Sequence, residues 1–139
     1  MRVSTRVRYA ARALAELAEN WDDGKPMKLT EIAEHQDISK KYLEQLFLPL
    51  KAAGIVVSVR GPNGGYKLAR SPENVTFFEL TKILEGQRWL VDCLRSPDVC
   101  PRSKFCAARK AWQRINKNLQ DSLKSISLAD LVDRSRKRK

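Results

Sequence analysis

The sequence predicts a mainly α fold with one small β-hairpin wing, a winged helix-turn-helix followed by a long C-terminal dimerisation helix. Three observations predict it. Apolar residues recur at helical spacing over most of the chain. Two of the helical segments are joined by a turn of three or four residues. Immediately after them the period changes to two on either side of a Gly-rich turn. The 139 residues suit a single domain with an extension for assembly, and they can bury a modest core without disulfides. The formal charge is +11, and +6 remains after the five cations of the terminal run Arg134 to Lys139 are set aside, so the body itself favours a polyanionic partner.

The first segment, about Ser4 to Asn20, puts Val7, Ala10, Ala11, Leu14, Leu17 and Ala18 on one helical face and arginines on the other. Asp22, Asp23, Gly24, Lys25 and Pro26 break it, and Thr30 is placed to cap a short helix to about His35 that buries Ile32 and Ala33. After a turn from Gln36 to Ile38, Ser39 caps a helix from Lys40 to Ala53 that buries Leu43, Leu46, Phe47 and Leu50. Gly54 then stands where a left-handed residue is wanted. Pro49, inside this helix, is expected to bend it or to free a hydrogen bond.

Next, Ile55, Val57 and Val59 alternate with Val56, Ser58 and Arg60, and the hairpin closes on Tyr66, Lys67 and Leu68. Asn63, Gly64 and Gly65 are expected to supply positive φ at its tip. Thr76 and Glu79 have capping-box spacing for a helix ending at Gly86. The stretch through Pro97 and Pro101 reads as loop. From about Ser103 a long helix steps through Trp112, Ile115, Leu119, Ser122 and Ile126, a coiled-coil-like seam for a second copy of the chain; packing on the first helix of the same chain is the alternative. Ser127 caps a last short helix, LADLVD. The expected division is 1–86 for the DNA-binding domain, 87–106 for a cysteine-bearing loop, 107–133 for the dimerisation and terminal helices, and 134–139 for a basic tail.

The opening residues carry Arg6, Arg8, Arg12, Glu16 and Glu19 and lack the apolar core of a signal peptide, and no apolar run is long enough to span a bilayer. A cytoplasmic protein without a membrane role is therefore expected. Catalysis is not: there is one histidine, no Ser/His/Asp set, and the turn GPNGG lies in a hairpin instead of opening a helix as a phosphate loop would.

Cys93, Cys100 and Cys106 are the only three cysteines and fall within fourteen residues. Their spacing is too wide for a CxxC pair and their number is odd, which favours a metal or reactive-thiol site over a disulfide framework. Thiolates select iron-sulfur or zinc over hard cations. Arg95, Arg102, Lys104 and Arg109 favour the thiolate form and would offset the negative charge of a ligated cluster. Plain redox thiols, or an empty site whose cysteines serve as small hydrophobes, are the alternatives.

The opening RVRYAARAL, the stretch KKYLEQLFLPLKAAGIVVSVRGPNGGY, the helix ending in LEG, the three cysteines and the terminal ISLADLV together resemble the bacterial IscR-type winged-helix transcription regulators. Their relatives include the nitric-oxide-sensing repressor NsrR and the cysteine-metabolism repressor CymR. The similarity covers nearly the whole chain. It implies a homodimeric regulator on a palindromic double-stranded DNA operator and, in cysteine-bearing members, DNA binding that follows the state of an iron-sulfur cluster, here 2Fe-2S in preference to 4Fe-4S.

A recognition helix reads bases mainly with its N-terminal half, which here offers Ser39, Lys40, Lys41, Tyr42, Glu44 and Gln45. Gln45 suits adenine, and Lys41 suits guanine or a phosphate. Glu44 is either an acceptor for cytosine, at a position the resemblance links to operator discrimination, or a salt-bridged surface residue. Arg60 on the wing suits a narrow minor groove. The cluster's fourth ligand departs from the resembled pattern. A histidine three residues past the last cysteine is replaced by Arg109, the first gap is one residue longer, and the acidic N-terminal ligand of the nitric-oxide relatives falls at Arg8. His35, Asp92, Asp98, Glu85 or a small molecule remain as candidates. A cluster-free regulator of cysteine or sulfur metabolism acting through a partner enzyme, and a metalloprotein with no DNA role, are the rival functions.

Overall fold

The computed structural model describes residues 2–132. Its order is α1 (Thr5–Glu19), α2 (Leu29–Gln36), α3 (Lys40–Ala52), β1 (Val56–Val59), β2 (Gly65–Leu68), α4 (Phe77–Glu85), α5 (Asp92–Arg95) and α6 (Ala107–Ser125), with short 3-10 turns at Pro72–Asn74, Pro97–Val99 and Leu128–Leu131. The core gathers Val7, Leu14 and Leu17 of α1, Ile32 of α2, Leu43, Leu46, Phe47 and Leu50 of α3, Ile55, Val56 and Leu68 of the hairpin, and Leu80 and Leu84 of α4. Each such side chain contributes about 1.5–3 kcal/mol when fully covered.

α1 lies at the centre. It packs against α2, α3, α4, β2 and the turn at Leu128–Leu131, so its buried arc is wider than a simple amphipathic stripe. Ala13 and Glu16 are buried with Val7, Ala10, Leu14, Leu17 and Ala18, whereas Ala11 is only half-buried. Ser4 caps this helix, its Oγ accepting from the Val7 N–H at 3.3 Å.

The expected cap of α2 is corrected. Lys28 holds the cap position without a side-chain bond, and Thr30 is exposed inside the first turn. The reason is Met27, which forms an isolated bridge with Tyr66 of β2 through two backbone hydrogen bonds of 2.8 and 2.7 Å, so the chain stays extended until just before Leu29. α2 ends on Asp37 in the left-handed region (φ 53°), an acidic residue where glycine is usual. α3 matches the expected helix: Ser39 Oγ accepts from the Tyr42 N–H at 3.1 Å, and Gly54 has φ 77°. Pro49 stays within the helix, and its missing N–H leaves the Gln45 carbonyl without its usual partner.

The hairpin pairs Val56 with Leu68 and Val59 with Gly65. Val56 and Leu68 face the core, while Val57 is exposed. Positive φ falls on Gly61 (107°) and Gly65 (150°), not on Asn63 or Gly64. Gly64 is required for space instead, because a Cβ there would lie 2.1 Å from the Val59 carbonyl oxygen. Thr76 caps α4 by accepting from the Glu79 N–H at 3.2 Å, but only half of the expected box forms: the Glu79 carboxylate takes Arg70 at 2.7 Å.

The cysteine stretch is not all loop, since α5 and the turn at Pro97–Val99 lie within it, and α6 begins at Ala107, not near Ser103. After α6 the chain returns to the head domain. Thr76 bridges Ser127, the Leu128 N–H donates to the Val75 carbonyl at 2.9 Å, and Leu128 is fully buried. Ser127 caps the final turn as expected, with Asp130 accepting from its N–H at 2.9 Å. The basic tail, residues 134–139, lies outside the described residues. No helix among the described residues is long and apolar enough to cross a membrane.

Candidate DNA-binding interface and cysteine segment

Packing decides which side of α3 is free. Leu43, Leu46, Phe47 and Leu50 are turned into the core, so the opposite side carries Lys41, Glu44, Gln45 and Leu48, all exposed. Ser39 and Lys40 are exposed at the helix start. Lys40 Nζ is 4.0 Å from a Glu44 carboxylate oxygen, both side chains being more than half exposed. Such a pair contributes at most about 0.5 kcal/mol, so either partner exchanges readily for a phosphate or a base edge. Tyr42 behaves differently. It is half-buried, with its ring edge-on to Tyr9 at 5.7 Å, so it anchors the start of α3 to α1. Arg60 and Lys67 are exposed on the wing, and Arg2, Arg6 and Arg8 are exposed near the N-terminus.

A buried acid organises the turn before the recognition helix. Glu16, 6% exposed in the middle of α1, accepts from Gln36 Nε2 at 3.0 Å and bonds His35 Nδ1 at 2.6 Å. Its hydrogen bond and then its charge hold the His35 pKa above the ordinary histidine value, against an opposing cost of desolvation, with Glu31 and Glu34 adding lesser upward contributions. Arg12 extends the network by donating to the Gln36 backbone carbonyl and to its Oε1 at 3.2 Å, while lying over the Tyr9 ring at 5.1 Å. A continuous set of contacts thus runs from Glu16 through Gln36, Arg12 and Tyr9 to Tyr42. Periodicity missed Glu16, although an acid inside the stripe Ala13, Leu14, Leu17 was the available signal.

Cys93 lies in α5, Cys100 follows the turn at Pro97–Val99, and Cys106 is the N-cap of α6; all three are free and half-buried. Among the described residues no group of three or more His, Cys, Asp or Glu side chains is gathered closely enough to hold a metal ion. The thiols suit a cluster chemically, but their arrangement in the single chain does not fit one. His35, proposed as a remote fourth ligand, has Nδ1 engaged by Glu16. Arg109 reaches back from α6 to the Cys93 carbonyl at 3.4 Å. Its Nε and the Ser103 Oγ are buried without a partner among the described residues, so the polar groups of this segment are not all matched in the free chain.

The geometry combines an exposed basic helix, a wing and an α6 that packs on α4 and α5 while leaving Trp112, Ile115 and Leu119, with Ile126 just after it, each 42% exposed. The profile of the Rrf2 family, described as iron-dependent transcriptional regulators, matches residues 3–134. The chain belongs to the Rrf2 family. Among Rrf2 relatives it is 37% identical to the regulator CymR of Bacillus subtilis over 132 residues, covering 95% of this chain and 90% of CymR. It is 33% identical to the regulator IscR of Erwinia tasmaniensis, covering 96% of this chain and 79% of that one. Among solved structures, CymR of B. subtilis superposes with a TM-score of 0.79 at 35% identity, covering 94% of this chain and 95% of that one. T. potens IscR superposes with a TM-score of 0.75, also at 35% identity, covering 94% and 85%. This Rrf2 chain is accordingly a DNA-binding transcription regulator of the winged-helix type and not an enzyme.

Proposed function

We propose that the chain acts as a homodimer on a palindromic operator and that its operator affinity follows the state of Cys93, Cys100 and Cys106. The observation that carries this reading is the position of the cysteine segment between the DNA-reading head and the half-exposed α6 seam. In this proposal residues 1–86 read DNA, 87–106 sense, and 107–133 join the protomers. Ser39, Lys40, Lys41, Glu44 and Gln45 enter the major groove, Tyr42 orients the helix, and Arg60 contacts the minor groove. Cys106 occupies the N-cap position of α6, its backbone carbonyl accepting from the Arg109 N–H at 3.2 Å, and the Cys93 carbonyl accepts from the Arg109 side chain, so a change in the segment reaches α6 directly. A shift there alters the spacing of two recognition helices, which half-sites one helical turn apart detect.

Two chemistries would set the cysteine state. Ligation of an iron-sulfur cluster, 2Fe-2S before 4Fe-4S, is supported by three soft thiolates in one segment and by the iron-dependent character given for the family. It requires the segment to regroup and a fourth ligand from outside it; His35 would have only Nε2 to offer. Oxidation of free thiols by an external oxidant is supported by Cys93, Cys100 and Cys106 being unpaired and half-buried. A metabolic enzyme as partner belongs to this second, CymR-like reading.

Enrichment of operators from random duplexes tests the DNA half of the proposal. A palindrome with half-sites about 34 Å apart, bound with an affinity that falls steeply as salt rises, is expected. A chain that enriches no sequence and ignores salt contradicts it. Anaerobic purification with iron and sulfide analysis separates the two cysteine chemistries. A colourless chain that cannot be reconstituted excludes the cluster.

A further inference from the structure

Leu48 is the large apolar residue that the fold leaves bare on α3, with 69% of its surface exposed. Single exposed leucines are ordinary on protein surfaces, so exposure alone assigns nothing. Its position does. At 100° per residue, Leu48 lies opposite the buried stripe of Leu43, Leu46, Phe47 and Leu50 and in line with Lys41 and Gln45, the polar residues placed to read base edges. At 1.5 Å per residue it stands about 10 Å further along the helix than Lys41, or about three base-pair steps. Lys40, Lys41 and Lys51 are exposed on the same helix, with Glu44 one turn before Leu48 as the anion among them, and Arg60 and Lys67 are exposed on the wing, so cations outnumber anions on these elements and the complementary surface is a polyanion.

Within a major groove the apolar group available to such a side chain is the thymine C5-methyl. We infer that Leu48 is a specificity-determining residue that recognises a thymine methyl in each operator half-site, deeper along the groove than the bases read by Lys41 and Gln45. This rests on the DNA-reading role proposed above. A polar side chain at position 48 would gain nothing from the methyl, whereas leucine covers it and sheds water from both groups.

Operators enriched with the full-length chain allow a direct test. Each thymine of a half-site is replaced in turn by deoxyuridine, which removes the methyl and nothing else, and binding is followed by fluorescence anisotropy with the wild-type chain and with Leu48→Ala. Covering one methyl-sized group is worth about fourfold in affinity, or about 15-fold when both half-sites are changed. At one thymine per half-site, wild type is expected to lose that factor with deoxyuridine. Leu48→Ala is expected to bind the intact operator correspondingly weakly and to lose nothing further. Its thermal midpoint is expected to stay at the wild-type value, because the side chain is outside the core. Operators bound specifically, but with the same deoxyuridine losses in both proteins at every thymine, overturn the inference and leave the leucine to a protein partner. Failure to enrich any operator is a different result: it removes the DNA-reading role and this inference with it.

Discussion

Ile115→Ser combined with Leu119→Ser removes the middle of the α6 seam. Each residue is 42% exposed in the single chain. Full burial of such a side chain is worth about 1.5–3 kcal/mol, so covering the remaining surface contributes about 1 kcal/mol each. Two residues in each of two protomers give about 4 kcal/mol, a loss of about 1,000-fold in the dimer constant. Sedimentation velocity over a concentration series measures that constant. Far-ultraviolet circular dichroism is expected to be preserved, because neither side chain belongs to the head-domain core. A double variant that dimerises as wild type does, or a wild-type chain that stays monomeric throughout the series, refutes the argument that this face is covered by a second copy.

Other outcomes follow from the same contacts. Gly65→Ala puts a Cβ 2.3 Å from the Met27 carbonyl oxygen at φ 150°, so a loss of about 2 kcal/mol or more is expected by chemical denaturation; an unchanged midpoint contradicts the close approach of the wing and the extended segment before α2. Arg60→Ala is expected to weaken operator binding and to lower the slope of log affinity against log salt by about two, one for each protomer; an unaltered slope removes Arg60 from the interface. Because Glu16 raises the His35 pKa, the stabilisation from that pair is fully present below about pH 6.5 and is lost as pH rises through the raised value. Proton NMR titration is expected to place His35 above its ordinary value in wild type and nearer to it in Glu16→Gln. Equal titration in the two proteins would show that Glu16 does not hold the histidine.

The sequence carried the parts of the fold whose cause is local. Ser39 and Gly54 delimit α3 because a cap and a left-handed stop act within a few residues of themselves, and the four buried positions of α3 follow from its period. What it did not carry depends on distant partners. Thr30 lost the cap of α2 because Met27 is drawn into a bridge with Tyr66, thirty-nine residues away. The Thr76 box is half-formed because Arg70 competes for Glu79. At the wing tip Gly65 takes the expected positive φ, but the other positive φ falls on Gly61, and Gly64 is needed because a carbonyl oxygen leaves no room for a Cβ. At the candidate site, the basic and polar residues of α3 were legible as a stripe. Glu16 was not, because its partners on α2 are brought to it only by the packing of α1 against α2.

The regulatory proposal stands or falls on operator affinity measured in two thiol states. Wild-type chain and the triple variant Cys93→Ala, Cys100→Ala, Cys106→Ala are each titrated onto the enriched operator, once prepared anaerobically with iron and sulfide and once after oxidation. A shift of tenfold or more between the two preparations is predicted for wild type, with none for the triple variant. Equal wild-type affinities in both preparations would contradict the claim that the cysteine segment controls DNA binding.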